Sequence, residues 1–203
     1  MTTFTAKDVQ TLRQSTGVGM MDAKKALTEA DGDFDKAVTY LREKGLAASA
    51  KRADREASEG AIGSYLHQQA GRSISGVLVY LASETDFVAK SDEFNEAARD
   101  IAMHIAWGKP RWLSRDEVPD AEITAESEII AAQAANEGKP ENIIPKIIEG
   151  RIEKFYAENV LLEQPYVRPE KFDGTVGEMV QQLAAKMGEN ISIKGFSRLA
   201  VGE

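Results

Sequence analysis

Few residues in this sequence could perform chemistry, and their spacing matches no familiar catalytic or metal-binding pattern. The chain has no cysteine, which rules out disulfide bonds, thiolate metal ligands and a catalytic thiol. Its two histidines, His67 and His104, have no carboxylate at a metal-ligand spacing. The sequence also lacks a Gly-x-Ser-x-Gly elbow, a His-Glu-x-x-His pair and the kinase motifs. We therefore predict no enzymatic activity, no metal site and no cofactor.

A glycine pair, Gly17 and Gly19, precedes a predicted helix. Such a pair could indicate a phosphate-binding loop, because helix N-termini attract anions. However, no strand comes before it, and neither a third glycine nor a Gly-Lys-Ser/Thr sequence follows. We interpret the pair as a tight turn between two helices.

Two other segments carry side chains suited to binding a protein partner. Met20 and Met21 are adjacent on a predicted helix, where neighbouring side chains point about 100° apart, so we expect at least one to be exposed. The sequence leaves core packing and partner contact open for this pair. The segment 84–90 is predicted to be a loop between a strand and a helix. There, Phe87 or Val88 either packs against the next helix, or Phe87 projects as an anchor beside Asp86.

The elements that position these segments form two groups. Residues 1–46 are predicted to form a three-helix domain, with a capping box at Thr5 and Asp8, a cap at Asp33 and a helix end at Gly45. Residues 47–59 contain many helix formers and no large apolar side chain, which predicts a helical linker.

Residues 60–203 are predicted to form an α+β core and dimerisation domain. A β-hairpin is expected over 61–67 and 74–81, followed by an amphipathic helix capped by Ser91 or Asp92. A helical hairpin follows, in which Pro145 predicts a late start or kink of the second arm. One more helix is expected over 176–187 and a third strand over 191–199, so the simplest fold class is α+β with a three-stranded antiparallel sheet.

Composition and net charge indicate which kinds of partner the chain can bind. At 203 residues and 42% hydrophobic the chain can bury a core. The net charge of -8 is uneven, about +2 over residues 1–55 and -10 over the rest. An acidic body repels phosphates, so we expect no direct nucleic-acid binding, although the first three helices and the basic stretch 42–55 keep a helix-turn-helix as an alternative. With no signal-peptide pattern and no membrane span, we expect a cytoplasmic protein that does not bind membranes.

Two segments, 12–27 (LRQSTGVGMMDAKKAL) and 84–90 (ETDFVAK), closely resemble the signature segments of the elongation factor Ts family. The resemblance continues through three shorter segments, 101–106 (IAMHIA), 150–155 (GRIEKF) and 164–167 (QPYV). It therefore covers nearly the whole chain.

This resemblance implies a three-helix domain of the ubiquitin-associated type, joined to a core that docks on elongation factor Tu and promotes release of its GDP. By similarity, Arg13, Met20 and Met21 would grip a helix of the GTPase domain. Thr85, Asp86, Phe87 and Val88 would dislodge the magnesium ion of elongation factor Tu, and His67 is a possible further contact.

The resemblance also implies a homodimer, because the chain has one core copy and is similar to short family members that dimerise through the sheet. The main alternative is an adaptor of another kind, in which the three-helix domain recognises a ubiquitin-like fold and the core only oligomerises.

Overall fold

The computed structural model describes residues 4–16 and 18–203, which form eight α-helices and three β-strands. The first three helices are α1 (Ala6–Thr16), α2 (Met20–Glu29) and α3 (Phe34–Ala50). The predicted capping box is confirmed: the Thr5 amide donates to Asp8 Oδ2 at 2.7 Å, and the Asp8 amide donates to Thr5 Oγ1 at 3.3 Å. Asp33 caps α3, as predicted. Of the predicted glycine turn, Gly17 lies outside the described residues and Gly19 is the N-cap of α2.

The three helices share a small apolar core made mainly of alanine and leucine. Small side chains let short helices approach closely, and this is how such a small unit buries apolar surface. Its buried members are Val9, Leu12, Ala23, Ala26, Leu27, Ala30, Ala37 and Leu41.

The predicted helix end at Gly45 is wrong, because α3 continues to Ala50. A Cβ atom at Gly45 would lie 3.1 Å from the Cβ of Ala185, so this glycine permits close packing against a core helix and is not a C-terminal cap. Residues 51–54 form turns and the first strand begins at Glu59. The predicted helical linker over 47–59 is therefore helical only at its start, and the domain boundaries remain a prediction.

The predicted three-stranded antiparallel sheet is confirmed. Its strands are β1 (Glu59–Gln69), β2 (Arg72–Ser83) and β3 (Ser192–Ala200), in the order β1-β2-β3. A two-residue turn joins β1 to β2, and both of its residues have positive φ, 50° at Ala70 and 81° at Gly71. This is the geometry that matches the right-handed twist of a hairpin.

Helix α5 (Asp92–Gly108) lies across one face of the sheet and begins at the predicted cap, where Ser91 Oγ accepts from the Phe94 amide at 3.3 Å. Helix α8 (Val176–Met187) completes this core and begins with a capping box between Thr175 and Glu178. The fully buried large side chains of the core are Val79, Leu81, Phe94, Ile101, Ile105, Leu161 and Val176.

Helices α6 (Asp120–Asn136) and α7 (Ile144–Asn159) form the predicted helical hairpin. Pro145 lies in the first turn of α7, so the late start is confirmed and no kink is needed. Arg115 holds the base of this hairpin: its guanidinium pairs with Glu153 and Glu163 and stacks 4.3 Å from the ring centroid of Tyr156. None of the described helices is long and apolar enough to cross a membrane.

The N-terminal helices are attached to the core through α3 and the turns that follow it. Arg42 pairs with Glu178 at 3.1 Å, and Arg52 Nη2 donates to the Ala184 carbonyl at 3.3 Å. Beyond them, Asn190 Nδ2 donates to the carbonyls of Ala53 (3.0 Å) and Arg55 (2.7 Å). These contacts define where the N-terminal helices sit relative to the core.

Candidate partner-binding site

The segment predicted as a loop contains a single helical turn, α4 (Asp86–Ala89), so that prediction is wrong. Thr85 is its N-cap, and Thr85 Oγ1 accepts from the Val88 amide at 3.4 Å. A threonine whose side-chain oxygen accepts from the backbone amide three residues later is a common helix N-cap, so Thr85 is a helix-start signal. The sequence pattern of a four-residue helix is too short to distinguish a helix from a loop.

The structure separates the two interpretations of Phe87 and Val88. Val88 is half-buried and packs against the core, and Ala89 is buried beside it. Phe87 is 85% exposed. A large aromatic side chain costs hydrophobic free energy when it is left in water, so an exposed phenylalanine on a fixed turn has the character of a binding anchor.

Asp86 offers an ionised carboxylate next to this ring. Its Oδ2 lies 2.5 Å from Nζ of Lys90, one helical turn away. The hydrogen bond and the charge of Lys90 lower the pKa of Asp86, and the same contact raises the pKa of Lys90. Both side chains remain accessible to water, so the pair adds little to stability and can exchange its partner for another charged group.

The three N-terminal residues singled out from the sequence all lie at the surface. Met20 is 48% exposed and Met21 is 76% exposed, so both methionines of α2 are available for contact. Arg13 is exposed on α1. Flexible methionine side chains adapt well to an apolar partner surface, and an exposed arginine can add a charged contact.

The C-terminal end of α1 lies close to the start of α5. Ser15 and Thr16, at the C-terminal end of α1, line one cavity together with Glu93 in the first turn of α5. Helix α5 begins directly after α4 in the chain. The end of α1 therefore lies near the helix that follows α4 in the chain.

His67 lies elsewhere. It is paired with Ser75 on β2, eight residues from Ser83 at the α4 end of that strand, which corresponds to about 26 Å at 3.3 Å per residue. His67 Nδ1 lies 3.3 Å from Tyr65 Oη, and its ring meets the ring of Trp107 edge-on at 5.6 Å between centroids. Trp107 is 60% exposed. The sequence patterns do not single out this tryptophan, since it sits on α5 beside a glycine that suggests only a helix end.

His104 has a structural role. It is 2% exposed, and its Nδ1 accepts a hydrogen bond from the Val167 amide at 3.2 Å. The ring proton is therefore on Nε2, which donates to Gln164 Oε1 at 2.9 Å. Burial lowers the pKa of His104 and keeps the ring neutral. Across residues 4–16 and 18–203 there is no cluster of three or more potential metal ligands.

Three large apolar side chains of this α+β protein are exposed to solvent, namely Phe87, Met20 and Met21. Single exposed apolar residues are common in proteins. These three, however, lie in segments 12–27 and 84–90, which resemble the signature segments of the elongation factor Ts family. Exposed side chains of these types are the ones that protein-binding surfaces use as anchors.

Comparison with known proteins identifies the family. The profile described as "Elongation factor TS" matches residues 4–203. The chain is 50% identical over 198 residues to "Elongation factor Ts" of Moorella thermoacetica, covering 98% of this chain and 95% of that protein. It is 54% identical over 201 residues to the protein of the same name from Thermoanaerobacter sp. strain X514, covering 98% and 96%. The chain belongs to the elongation factor Ts family, and it is a translation elongation factor.

Proposed function

We propose that this protein is the guanine-nucleotide exchange factor for elongation factor Tu. It binds elongation factor Tu in its GDP form, displaces the magnesium ion and promotes GDP release, so that GTP can bind. The observation that carries the proposal is the 85% exposure of Phe87 on a capped turn within the segment 84–90. An anchor of this kind supports insertion into a partner.

The mechanism needs no chemical step from this protein. Magnesium requires near-ideal octahedral oxygen coordination, and in GTPases it bridges the nucleotide phosphates to the protein. Inserting Phe87 beside the ion, with the ionised carboxylate of Asp86 next to it, shifts groups that hold the ion and its water shell. Loss of the ion then weakens GDP binding.

The size of the required effect is within reach of one anchor and a few polar contacts. A ten-thousandfold acceleration of GDP release corresponds to about 5.5 kcal/mol. A buried aromatic hot spot contributes about 2 kcal/mol or more, and charge-assisted hydrogen bonds add to it. Because coupling between two ligands is reciprocal, a factor that weakens nucleotide binding is itself released when nucleotide returns.

The remaining candidate residues have supporting roles in this proposal. Arg13, Met20 and Met21 bind a helix of the GTPase domain and hold the factor on its partner, while Thr85 and Val88 support Asp86 and Phe87 on α4. His67, about 26 Å away along the sheet, makes a separate contact with elongation factor Tu. We place the protein in the cytoplasm, where translation takes place, and its net charge of -8 argues against direct nucleic-acid binding.

The direct test is release of a fluorescent GDP analogue from elongation factor Tu, followed by stopped flow after mixing with excess unlabelled nucleotide. We expect the intact protein to raise the release rate by several orders of magnitude, in a saturable manner. Added magnesium should reduce the acceleration, because a higher concentration of the ion opposes its displacement. An unchanged release rate at saturating protein would contradict the proposed function.

We also propose that the protein forms a homodimer through the outer face of its sheet. The side of the sheet opposite α5 carries a set of exposed aliphatic residues, and the strand pairing places them on one surface: Ile62, Leu66, Leu78 and Leu199. Their exposed fractions range from 54% for Leu78 to 77% for Leu199. A two-fold dimer would cover these side chains, since an isologous interface needs one self-complementary patch.

Light scattering at about 10 μM protein is expected to report twice the mass of the chain. At this concentration a dissociation constant of about 1 μM gives mainly dimer. Leu78→Asp should shift the protein to the monomer, because it would bury a charge at the centre of the interface. Ile129→Asp is the matched control, since Ile129 is similarly exposed (51%) but lies on α6. A monomeric parent protein, or a dimer that survives Leu78→Asp, would rule out this interface.

A further inference from the structure

Helix α4 cannot hold its own conformation. It has four residues, Asp86–Ala89, and isolated helices much shorter than about 12 residues are unstable in water. Phe87 is 85% exposed, so side-chain packing does little to direct its ring. The direction in which Phe87 projects therefore depends on contacts that hold the backbone of this turn.

Residues close in the sequence hold the C-terminal side of the turn. Asn95 Nδ2 donates to the Ala89 carbonyl at 2.8 Å, and Ser91 Oγ donates to the Val88 carbonyl at 2.8 Å. Both donors belong to the start of α5, which follows directly. This end of α4 is fixed by the adjoining helix.

On the N-terminal side, Ser83 Oγ donates to the Thr85 carbonyl at 3.0 Å, and a carboxylate from a distant part of the chain makes three further hydrogen bonds. Glu189 Oε2 accepts from the amides of Glu84 (3.0 Å) and Thr85 (3.1 Å), and its Oε1 accepts from Thr85 Oγ1 at 2.5 Å. Strand β2 has ended at Ser83, so these two amides have no further strand partner, and Glu189 satisfies them. Hydrogen bonds to an ionised acceptor are stronger than neutral ones.

Thr85 passes this constraint on to α4. Its hydroxyl gives its hydrogen to Glu189, and the same oxygen accepts from the Val88 amide at 3.4 Å. The two bonds are compatible because a hydroxyl can donate one hydrogen bond and accept others. Glu189 thus orients the residue that caps the turn carrying Phe87.

The position of Glu189 is itself fixed. Helix α8 ends at Met187, and its C-cap Gly188 is in the left-handed conformation with φ 75°, so the chain turns sharply before Glu189. The next residue, Asn190, is 9% exposed. Its backbone amide donates to Glu84 Oε1 at 2.6 Å, and its side chain bonds the Ala53 and Arg55 carbonyls. The corner 188–190 therefore joins α4 to the segment that leads to the N-terminal helices.

We propose that Glu189 is a positioning residue for nucleotide exchange, which holds Thr85 and α4 so that Phe87 projects in the orientation needed for insertion into the partner. This inference rests on the proposed function. Glu189 does not contact elongation factor Tu in this proposal, and it acts through the hydrogen bonds to Glu84 and Thr85.

Three variants test it: Glu189→Ala, Glu189→Gln and, as a charge-matched control, Glu141→Ala in the exposed turn between α6 and α7. In the free protein, Glu189→Ala should speed amide hydrogen exchange at residues 84–90 at least about tenfold, while exchange in α5 and the sheet stays unchanged. Glu189→Gln should stay close to the parent, because its amide oxygen can still accept from the Glu84 and Thr85 amides.

In the GDP-release assay, Glu189→Ala should lower the maximal stimulated rate about tenfold, with a smaller change in the concentration that gives half of the maximal rate, since the N-terminal contacts are intact. Glu189→Gln should restore most of the rate, and Glu141→Ala should match the parent.

Unchanged amide exchange at residues 84–90 in Glu189→Ala would overturn the inference. Faster exchange throughout the chain in both Glu189 variants would also overturn it, because that result marks general destabilisation. If the parent protein fails to accelerate GDP release, the proposed function fails. The amide-exchange measurement in the free protein still decides whether Glu189 holds α4.

Discussion

Phe87→Ala is expected to lower the maximal rate of GDP release stimulated by this protein about thirtyfold, the equivalent of a 2 kcal/mol hot spot. The free energy of unfolding should change by less than about 0.5 kcal/mol. The reason for this contrast is the 85% exposure of the ring. In the free protein the ring contributes little to the core, so its removal affects the complex far more than the fold.

Stopped-flow release of a fluorescent GDP analogue measures the first effect, and thermal unfolding followed by circular dichroism measures the second. Ile129→Ala is a suitable control, because it also removes an exposed apolar side chain, 51% exposed, from a helix remote from α4 in the chain. The control should retain the parent rate. A Phe87→Ala protein that exchanges nucleotide at the parent rate would contradict the role of this residue.

A double variant with Asp86→Ala and Phe87→Ala distinguishes the exchange-factor hypothesis from the adaptor hypothesis. The side chain of Asp86 is 47% accessible and its ion pair with Lys90 is a surface pair, so the double variant should fold normally. An adaptor that recognises its partner through the three-helix unit would tolerate both changes. Loss of stimulated GDP release together with retained binding to elongation factor Tu would favour the exchange mechanism.

Gly63→Ala is expected to destabilise the protein by about 3 kcal/mol, at the upper end of the usual cost of overpacking. Gly63 lies on β1 against α5, and a Cβ atom there would lie 2.2 Å from the Ala98 carbonyl oxygen and 2.4 Å from its carbon. These are backbone atoms in the middle of a helix, so they cannot move aside as a flexible side chain can. The strand and the helix would have to separate.

Equilibrium unfolding in urea at one fixed protein concentration measures this cost, because the apparent stability of an oligomer depends on concentration. Gly150→Ala is the matched control. It lies in α7 with no heavy atom within 4 Å of the position where a Cβ would be, and the change should stabilise the protein by about 0.5–1 kcal/mol. A Gly63→Ala protein as stable as the parent would show that β1 and α5 do not approach this closely.

The local elements follow closely from the sequence. The helix starts at Thr5, Asp33 and Ser91 depend on a side chain bonding an amide three residues ahead, and the strands depend on a period of two residues. Interactions of such short range leave a signature in a short window of sequence. For the same reason the fold class and three-stranded sheet were predictable.

The predictions that failed concern contacts between distant residues. Gly45 has the residue type of a helix end, yet it faces Ala185 on another helix. Likewise, Thr85, the N-cap of the helical turn in segment 84–90, is held by Glu189 from the far end of the chain. No local pattern contains the partner in either case.

The amino-acid sequence was sufficient to predict most of the helices and strands, the similarity to the elongation factor Ts family, and the residues that are candidates for the partner interface. Only the folded chain shows that Val88 packs inward while Phe87 projects, that both Met20 and Met21 are exposed, and that Glu189 holds the cap of α4. The physical reason is range: caps and periodicity act within a few residues, whereas burial and hydrogen bonding of a given side chain depend on which distant segment folds against it.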